Sequence, residues 1–218
     1  FEDAISYFSN AIALKDPVPE AYQFLADLKT SESKAPEEAE RLLNQMIAET
    51  DSPKTRQIRA QWLLGQNRQA EAIPDLWLAI GIEPNDVKAN ALLLKSIRQA
   101  AANDTAFKSD EQYGRLIKHL NSVLSTDPDH PRLRMYLSSA LWATGQHADA
   151  IKNLRSVISR DPRQFEMYEV LVDYLVSDRQ HAEAQQLFDQ IPERAIARGR
   201  REFMRGRLLM SQKNWQEA

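Results

Sequence analysis

Ala150 recurs as Ala184 and Ala218, 34 residues apart each time, and Ala72 precedes Ala150 by 78, one such interval plus one carrying ten extra residues. Around these alanines the chain repeats a hexamer: NRQAEA at 67–72, GQHADA at 145–150, RQHAEA at 179–184 and KNWQEA at 213–218. Pro84, Pro128 and Pro162 follow Ala72, Leu116 and Ala150 by twelve residues in each case. A fixed stride of this length restricts the chain to stacked copies of one small supersecondary unit, none of which has a core of its own.

The apolar pattern inside one period says what that unit is. In 131–164, Leu133, Leu137, Leu141 and Trp142 form one helical stripe, and Ala150, Leu154, Val157 and Ile158 form a second after Gly145. Each period is therefore predicted to be a pair of helices. Glycine permits the tight turn between them, and Pro162 ends the second helix because the residue before a proline is pushed out of helical conformation. The composition suits a packed chain, with 43% hydrophobic and 27% charged residues and only six Gly.

These residues resemble the tetratricopeptide repeat, a 34-residue helix-turn-helix with small residues at fixed places and a terminal Pro. The resemblance implies an all-α fold, a right-handed superhelical solenoid of stacked antiparallel helix pairs. It divides the chain into a partial repeat at 1–18, full repeats at 19–52, 53–86, 87–130 (with the ten-residue insertion), 131–164 and 165–198, and a partial repeat at 199–218. With both ends inside a repeat, the chain reads as one array belonging to a longer protein.

In this reading Ala26, Ala60, Ser138, Val172 and Gly206 lie where the first helix of a pair meets the second. Ala39, Ala72, Ala150 and Ala184 face them, so that the axes can approach to about 8–10 Å. The row Leu43, Leu76, Leu120, Leu154 and Phe188 fills the space between successive pairs. Departures from the pattern predict irregularity: Leu94 and Leu116 stand at small-residue positions, the inserted stretch AANDTAFKSDEQ is placed between helices, Pro74 falls inside a helix, and Pro192 should end one early.

Function is constrained first by what is missing. The sequence has no Cys, hence no disulfide or thiolate site, and its formal net charge of −3 gives no global attraction to nucleic acid or anionic membrane. No G-x-S-x-G elbow, phosphate-binding glycine loop or H-E-x-x-H pair occurs, so no catalytic, metal or cofactor residues are assigned. His147 and His181 share a position that elsewhere holds Gln69, Tyr113 and Trp215, which marks a site for a flat or amphipathic side chain rather than a metal ligand. His119 and His130 read as ordinary surface residues. The segment RAIARGRREFMRGR at 194–207 carries six Arg against one Glu. Without accompanying exposed aromatics it is expected to form a solvated face or to pair with acids of a neighbouring repeat, and not to bind nucleic acid.

The resemblance implies a non-enzymatic protein-binding scaffold whose first helices line a concave surface for a partner peptide or helix. On the outward places of those helices, Lys88, Lys95, Arg98 and Arg132 stand beside Met135 and Trp142, offering cations for an acidic peptide and an apolar anchor. Arrays that clamp the carboxylate tail of heat-shock chaperones need Lys and Asn where this chain has Gln57, Gln61 and Leu92, which disfavours that partner. No apolar run approaches membrane-spanning length. Self-association, a role as accessory region of a larger enzyme or assembly, and either a cytoplasmic or a periplasmic location all stay open at this level.

Overall fold

A computed structural model describes residues 1–14 and 18–212. Pro17, Trp215, Ala218 and the last hexamer lie outside them. Among the described residues the chain forms twelve helices and no strand: α1 (Glu2–Ala13), α2 (Pro19–Ser31), α3 (Pro36–Glu49), α4 (Pro53–Gly65), α5 (Gln69–Ile82), α6 (Val87–Asn103), α7 (Ser109–Thr126), α8 (Pro131–Ala143), α9 (His147–Arg160), α10 (Phe165–Ser177), α11 (His181–Asp189) and α12 (Arg198–Ser211). The fold class is all-α, built from helix pairs. Two compact units divide the chain, Phe1–Gln112 and Tyr113–Ala218, with the boundary inside α7.

Helix starts are set by local chemistry. Pro19, Pro36, Pro53 and Pro131 each occupy the first turn, where a missing N–H costs nothing and the fixed φ favours helix. Ser52 and Thr55 make a reciprocal cap on α4, and Asp86 Oδ1 accepts from the Ala89 N–H of α6 at 2.9 Å. His130, expected as an ordinary surface residue, caps α8 instead: its Nδ1 accepts from the Leu133 N–H at 3.4 Å.

Among the described residues, the turns of four helix pairs use a left-handed residue. Gly145 has φ 77°, and the equivalent places hold Lys34, Asn67 and Arg179 at φ 49°, 57° and 63°. The glycine is therefore one solution among several, the others accepting the cost of a Cβ at positive φ.

In the N-terminal unit α2 packs on α3 and α4 on α5, and α2, α4 and α6 are successive neighbours on one face. In the C-terminal unit α8 packs on α9, α10 on α11, and α10 also meets α9 and α12. The small-residue rows are where close approach requires them: Ala26, Ala60, Ser138, Val172, Ala39, Ala72, Ala150 and Ala184 are none more than 1% exposed. Leu43, Leu76, Leu120 and Leu154 are fully buried and Phe188 nearly so, each burial contributing about 1.5–3 kcal/mol.

Three expected irregularities turn out differently from one another. The inserted stretch is mostly absorbed as helix, not left between helices: α6 and α7 grow to 17 and 18 residues, against 13 and 14 in α4 and α5, and only 104–108 connect them. Pro74 lies within α5, which runs on through it. As the sixth helical residue it removes one bond, to the exposed Ala70, whose carbonyl water can satisfy. Ahead of Pro192, α11 stops after nine residues.

Candidate protein-binding surface

On the N-terminal unit the face made by α2, α4 and α6 carries rows of residues at equal places in the period. Glu20, Lys54 and Lys88 form one row, and Asp27, Gln61 and Lys95 another, each stepping by 34. Lys54 Nζ reaches Glu20 Oε1 at 3.1 Å, and this hydrogen bond holds the Glu20 carboxyl below the usual carboxylate range. Gln57 is buried. Its Nε2 donates to Asp86 Oδ2 at 2.7 Å, tying α4 to the cap of α6.

Between α2 and α4 lies a cavity of about 290 Å³ lined by Gln23, Asp27, Ile58, Gln61, Trp62 and Gln66, among others. Trp62 Nε1 donates to Thr30 Oγ1 at 3.0 Å, leaving the amides and Asp27 as the free polar groups of the wall. Although its surface remains open, Asp27 is partly desolvated, which pushes its carboxyl above the usual range. On α6, Lys88, Lys95 and Arg98 are exposed. Among the described residues none of the three has an ion-pair partner.

On the C-terminal unit the corresponding face of α8, α10 and α12 is internally compensated. Arg132 pairs with Glu166 at 3.4 Å, Arg200 with Glu169 at 2.7 Å, and Arg207 with Asp173. Arg201 donates to the Ile191 carbonyl at 2.6 Å and lies 4.7 Å over the Phe188 ring. Of the arginine-rich segment, Arg200 and Arg207 are thus engaged by acids of the neighbouring pair, and among the described residues Arg194, Arg198 and Arg205 have no ion-pair partner. Trp142 is sandwiched, with His147 at 4.0 Å and 14° on one side and Tyr174 at 4.1 Å and 11° on the other. The Tyr174 hydroxyl also donates to Ser139 Oγ at 3.4 Å. Met135 and Trp142 both pack against the core of this unit, so neither ring face of Trp142 is open to an incoming residue.

The six residues picked out by sequence thus fall on two units: Lys88, Lys95 and Arg98 on one, Arg132, Met135 and Trp142 on the other. His147 serves as a flat side chain, stacking on Trp142, with Nδ1 3.9 Å from Asp178 Oδ1. Among the described residues no group of three or more His, Asp or Glu is arranged to hold a metal ion, and no helix is long and apolar enough to cross a membrane. Two features go beyond what the sequence pattern singles out. Asp27, on the cavity wall, is one. Asp75 has no mark in the period, yet it is a carboxylate 1% exposed that receives Arg56 Nη1 at 2.8 Å and Arg59 Nε and Nη2 at 2.6 and 2.7 Å.

Residues 108–172 match the sequence family described as tetratricopeptide repeat. No curated protein sequence matches the chain. Among solved structures, a tetratricopeptide repeat protein from Parabacteroides merdae ATCC 43184 superposes with a TM-score of 0.67 at 14% identity, covering 96% of this chain and 79% of that one. A thermophilic protein of the same repeat type, TTC0263 from Thermus thermophilus, gives 0.60 at 13% identity over 89% and 99% of the two chains. YrrB, described as a protein of this type with an unusual peptide-binding site, gives 0.57 at 13% identity over 94% and 97%. Residues 108–172 are thus tetratricopeptide repeats by sequence, and the described chain as a whole has the fold of that family.

Proposed function

We propose that this chain is a non-enzymatic protein-interaction module that binds an extended segment of a partner protein on the face of α2, α4 and α6, with Lys88, Lys95 and Arg98 gripping acidic residues. The observation that carries this reading is the contrast between the two units. On the face of α8, α10 and α12, Arg132, Arg200 and Arg207 are paired with Glu166, Glu169 and Asp173, whereas Lys88, Lys95 and Arg98 on α6 stand exposed and, among the described residues, without an ion-pair partner. Residues 88 to 98 span about 15 Å along a helix at 1.5 Å per residue, the length of about four or five extended peptide residues. YrrB, which shares the fold, has a peptide-binding site, and that supports the class of activity. On the other unit Arg132, Met135 and Trp142 contribute contact area and little charge, because Arg132 must first leave Glu166 and Trp142 offers only its edge.

The test is binding of a fluorescent glutamate-rich peptide, followed by anisotropy at low and physiological salt, to the native protein and to a Lys95→Glu, Arg98→Glu variant. Exposed charge pairs are each worth about 0.2–1 kcal/mol, so reversing two should weaken binding by at least about fivefold and flatten its salt dependence. Equal affinity for the two proteins rejects the α6 grip.

A further inference from the structure

The row that contains Asp27 also contains its own control. Stepping along the period, the same place is held by Asp27, Gln61 and Lys95 in the N-terminal unit, and by Ser139, Asp173 and Arg207 in the C-terminal unit. Asp173 on α10 receives the guanidinium of Arg207 from α12, the next first helix. Asp27 on α2 faces the same direction toward α4, where the next first helix presents Gln61, and both side chains line the cavity. An aspartate at this place accepts a guanidinium from its neighbour in one unit and is left without one in the other. Among the described residues Asp27 has no ion-pair partner.

We infer that the N-terminal unit recognises a two-signed segment: an arginine of the bound peptide enters the cavity between α2 and α4 and pairs with Asp27, flanked by Gln23 and Gln61, while acidic residues of the same peptide lie on Lys88, Lys95 and Arg98 of α6. This deepens the proposed peptide-binding function and rests on it. Neighbouring helix axes in such packing are about 8–10 Å apart, so two steps from α2 to α6 cover about 16–20 Å. At about 3.3 Å per extended residue, the arginine and the acids are five or six residues apart. The cavity is a polar slot suited to a guanidinium, with carboxamides at 23, 61 and 66 able to take its remaining N–H groups. Partial desolvation of Asp27 makes its charged form costly in the free protein, a cost that the attraction to an arriving cation offsets.

The experiment uses three fluorescent peptides and a single-stranded oligonucleotide on the native protein, with anisotropy as readout. One peptide carries an arginine separated by about five neutral residues from a glutamate pair, the second replaces the arginine with alanine, and the third places the arginine beside the glutamates. The separated peptide should bind about three- to fivefold tighter than the other two at low salt. That gain should vanish in Asp27→Asn and turn into a loss in Asp27→Lys, with melting curves showing both variants folded. Equal binding of all three peptides, or a gain that survives Asp27→Asn, overturns the inference while leaving the acidic grip standing. Failure of every peptide to bind overturns both, and so does displacement of the peptides by the oligonucleotide.

Discussion

Replacing Asp75 should test whether the second helices of the N-terminal unit are held by charge as well as by packing. Its carboxylate makes three short hydrogen bonds, to Arg56 at 2.8 Å and to Arg59 at 2.6 and 2.7 Å, at 1% exposure. Breaking a buried pair by removing one partner costs about 3–5 kcal/mol, because the remaining charge is stranded. Here the stranded charges have other resources. Arg56 keeps Asp51 through two bonds of 2.7 Å, and Arg59 keeps Asn44 at 2.7 Å. Asp75→Ala is therefore expected at the lower end, about 3 kcal/mol. The chain supplies a reference for a milder change. Arg134 and Asn153, like Arg56 and Asp75, are 19 residues apart, and Arg134 Nη1 donates to Asn153 Oδ1 at 2.7 Å. There an amide suffices because Leu137 stands where the first unit has Arg59. Asp75→Asn should accordingly cost about 1–2 kcal/mol, and a triple change of Arg56, Arg59 and Asp75 to apolar residues should recover much of the alanine loss. Urea unfolding followed by circular dichroism reads these as shifts in midpoint at constant slope. An Asp75→Ala variant within about 0.5 kcal/mol of the native protein, the ordinary range for surface substitutions, would refute the reasoning.

Gly145→Ala should lose about 1 kcal/mol, because Gly145 has φ 77° and a Cβ there is strained although the space around it is open. Arg179→Gly, at the same turn position one pair later, should gain up to about 1 kcal/mol in the same assay. Glu40 and Glu71 are both held below the usual carboxylate range by hydrogen bonds from Arg68. Depressed native values mean stability present above the unfolded carboxylate range and lost as pH falls through the native one. Midpoints measured from neutral to acid pH should therefore fall, and Arg68→Leu should make that fall shallower. Asp27 has the opposite sign: its raised carboxyl favours the fold at low pH and loses that contribution as pH rises through its native value. Asp27→Asn should thus melt no lower than the native protein at neutral pH, with any difference vanishing in acid.

Much of the architecture is legible in the sequence because the constraints on it are periodic. Ala26, Ala60 and Ala150 are small where helix axes cross, Leu43, Leu76 and Leu154 fill the gaps between pairs, and all are fully or almost fully buried. What the period does not encode is harder to read. The insertion resembles a connection because of its Asn, Asp and Thr. Its Ala101 and Ala102, following Ala100, nonetheless extend α6, and Asp110 and Glu111 favour the start of α7. Trp142 reads as an anchor because its stacking partner, Tyr174, lies 32 residues on, off the 34-residue ruler. Three of the ion pairs, by contrast, are encoded in the period itself: Glu20 with Lys54, Arg132 with Glu166 and Asp173 with Arg207 are all opposite charges one stride apart. The buried Asp75 gives only a faint signal, an acid set in an apolar run with two arginines one helical turn apart upstream.

The contrast between Asp173, capped by Arg207, and Asp27, facing Gln61, has a consequence for how such arrays change over time. A single exchange, Gln61→Arg, would give Asp27 the kind of partner that Asp173 already has in Arg207, closing the proposed arginine site with no alteration of the scaffold. Recognition in a chain of copies is then a matter of which rungs are left unanswered by the next rung, and it can be opened or shut one position at a time.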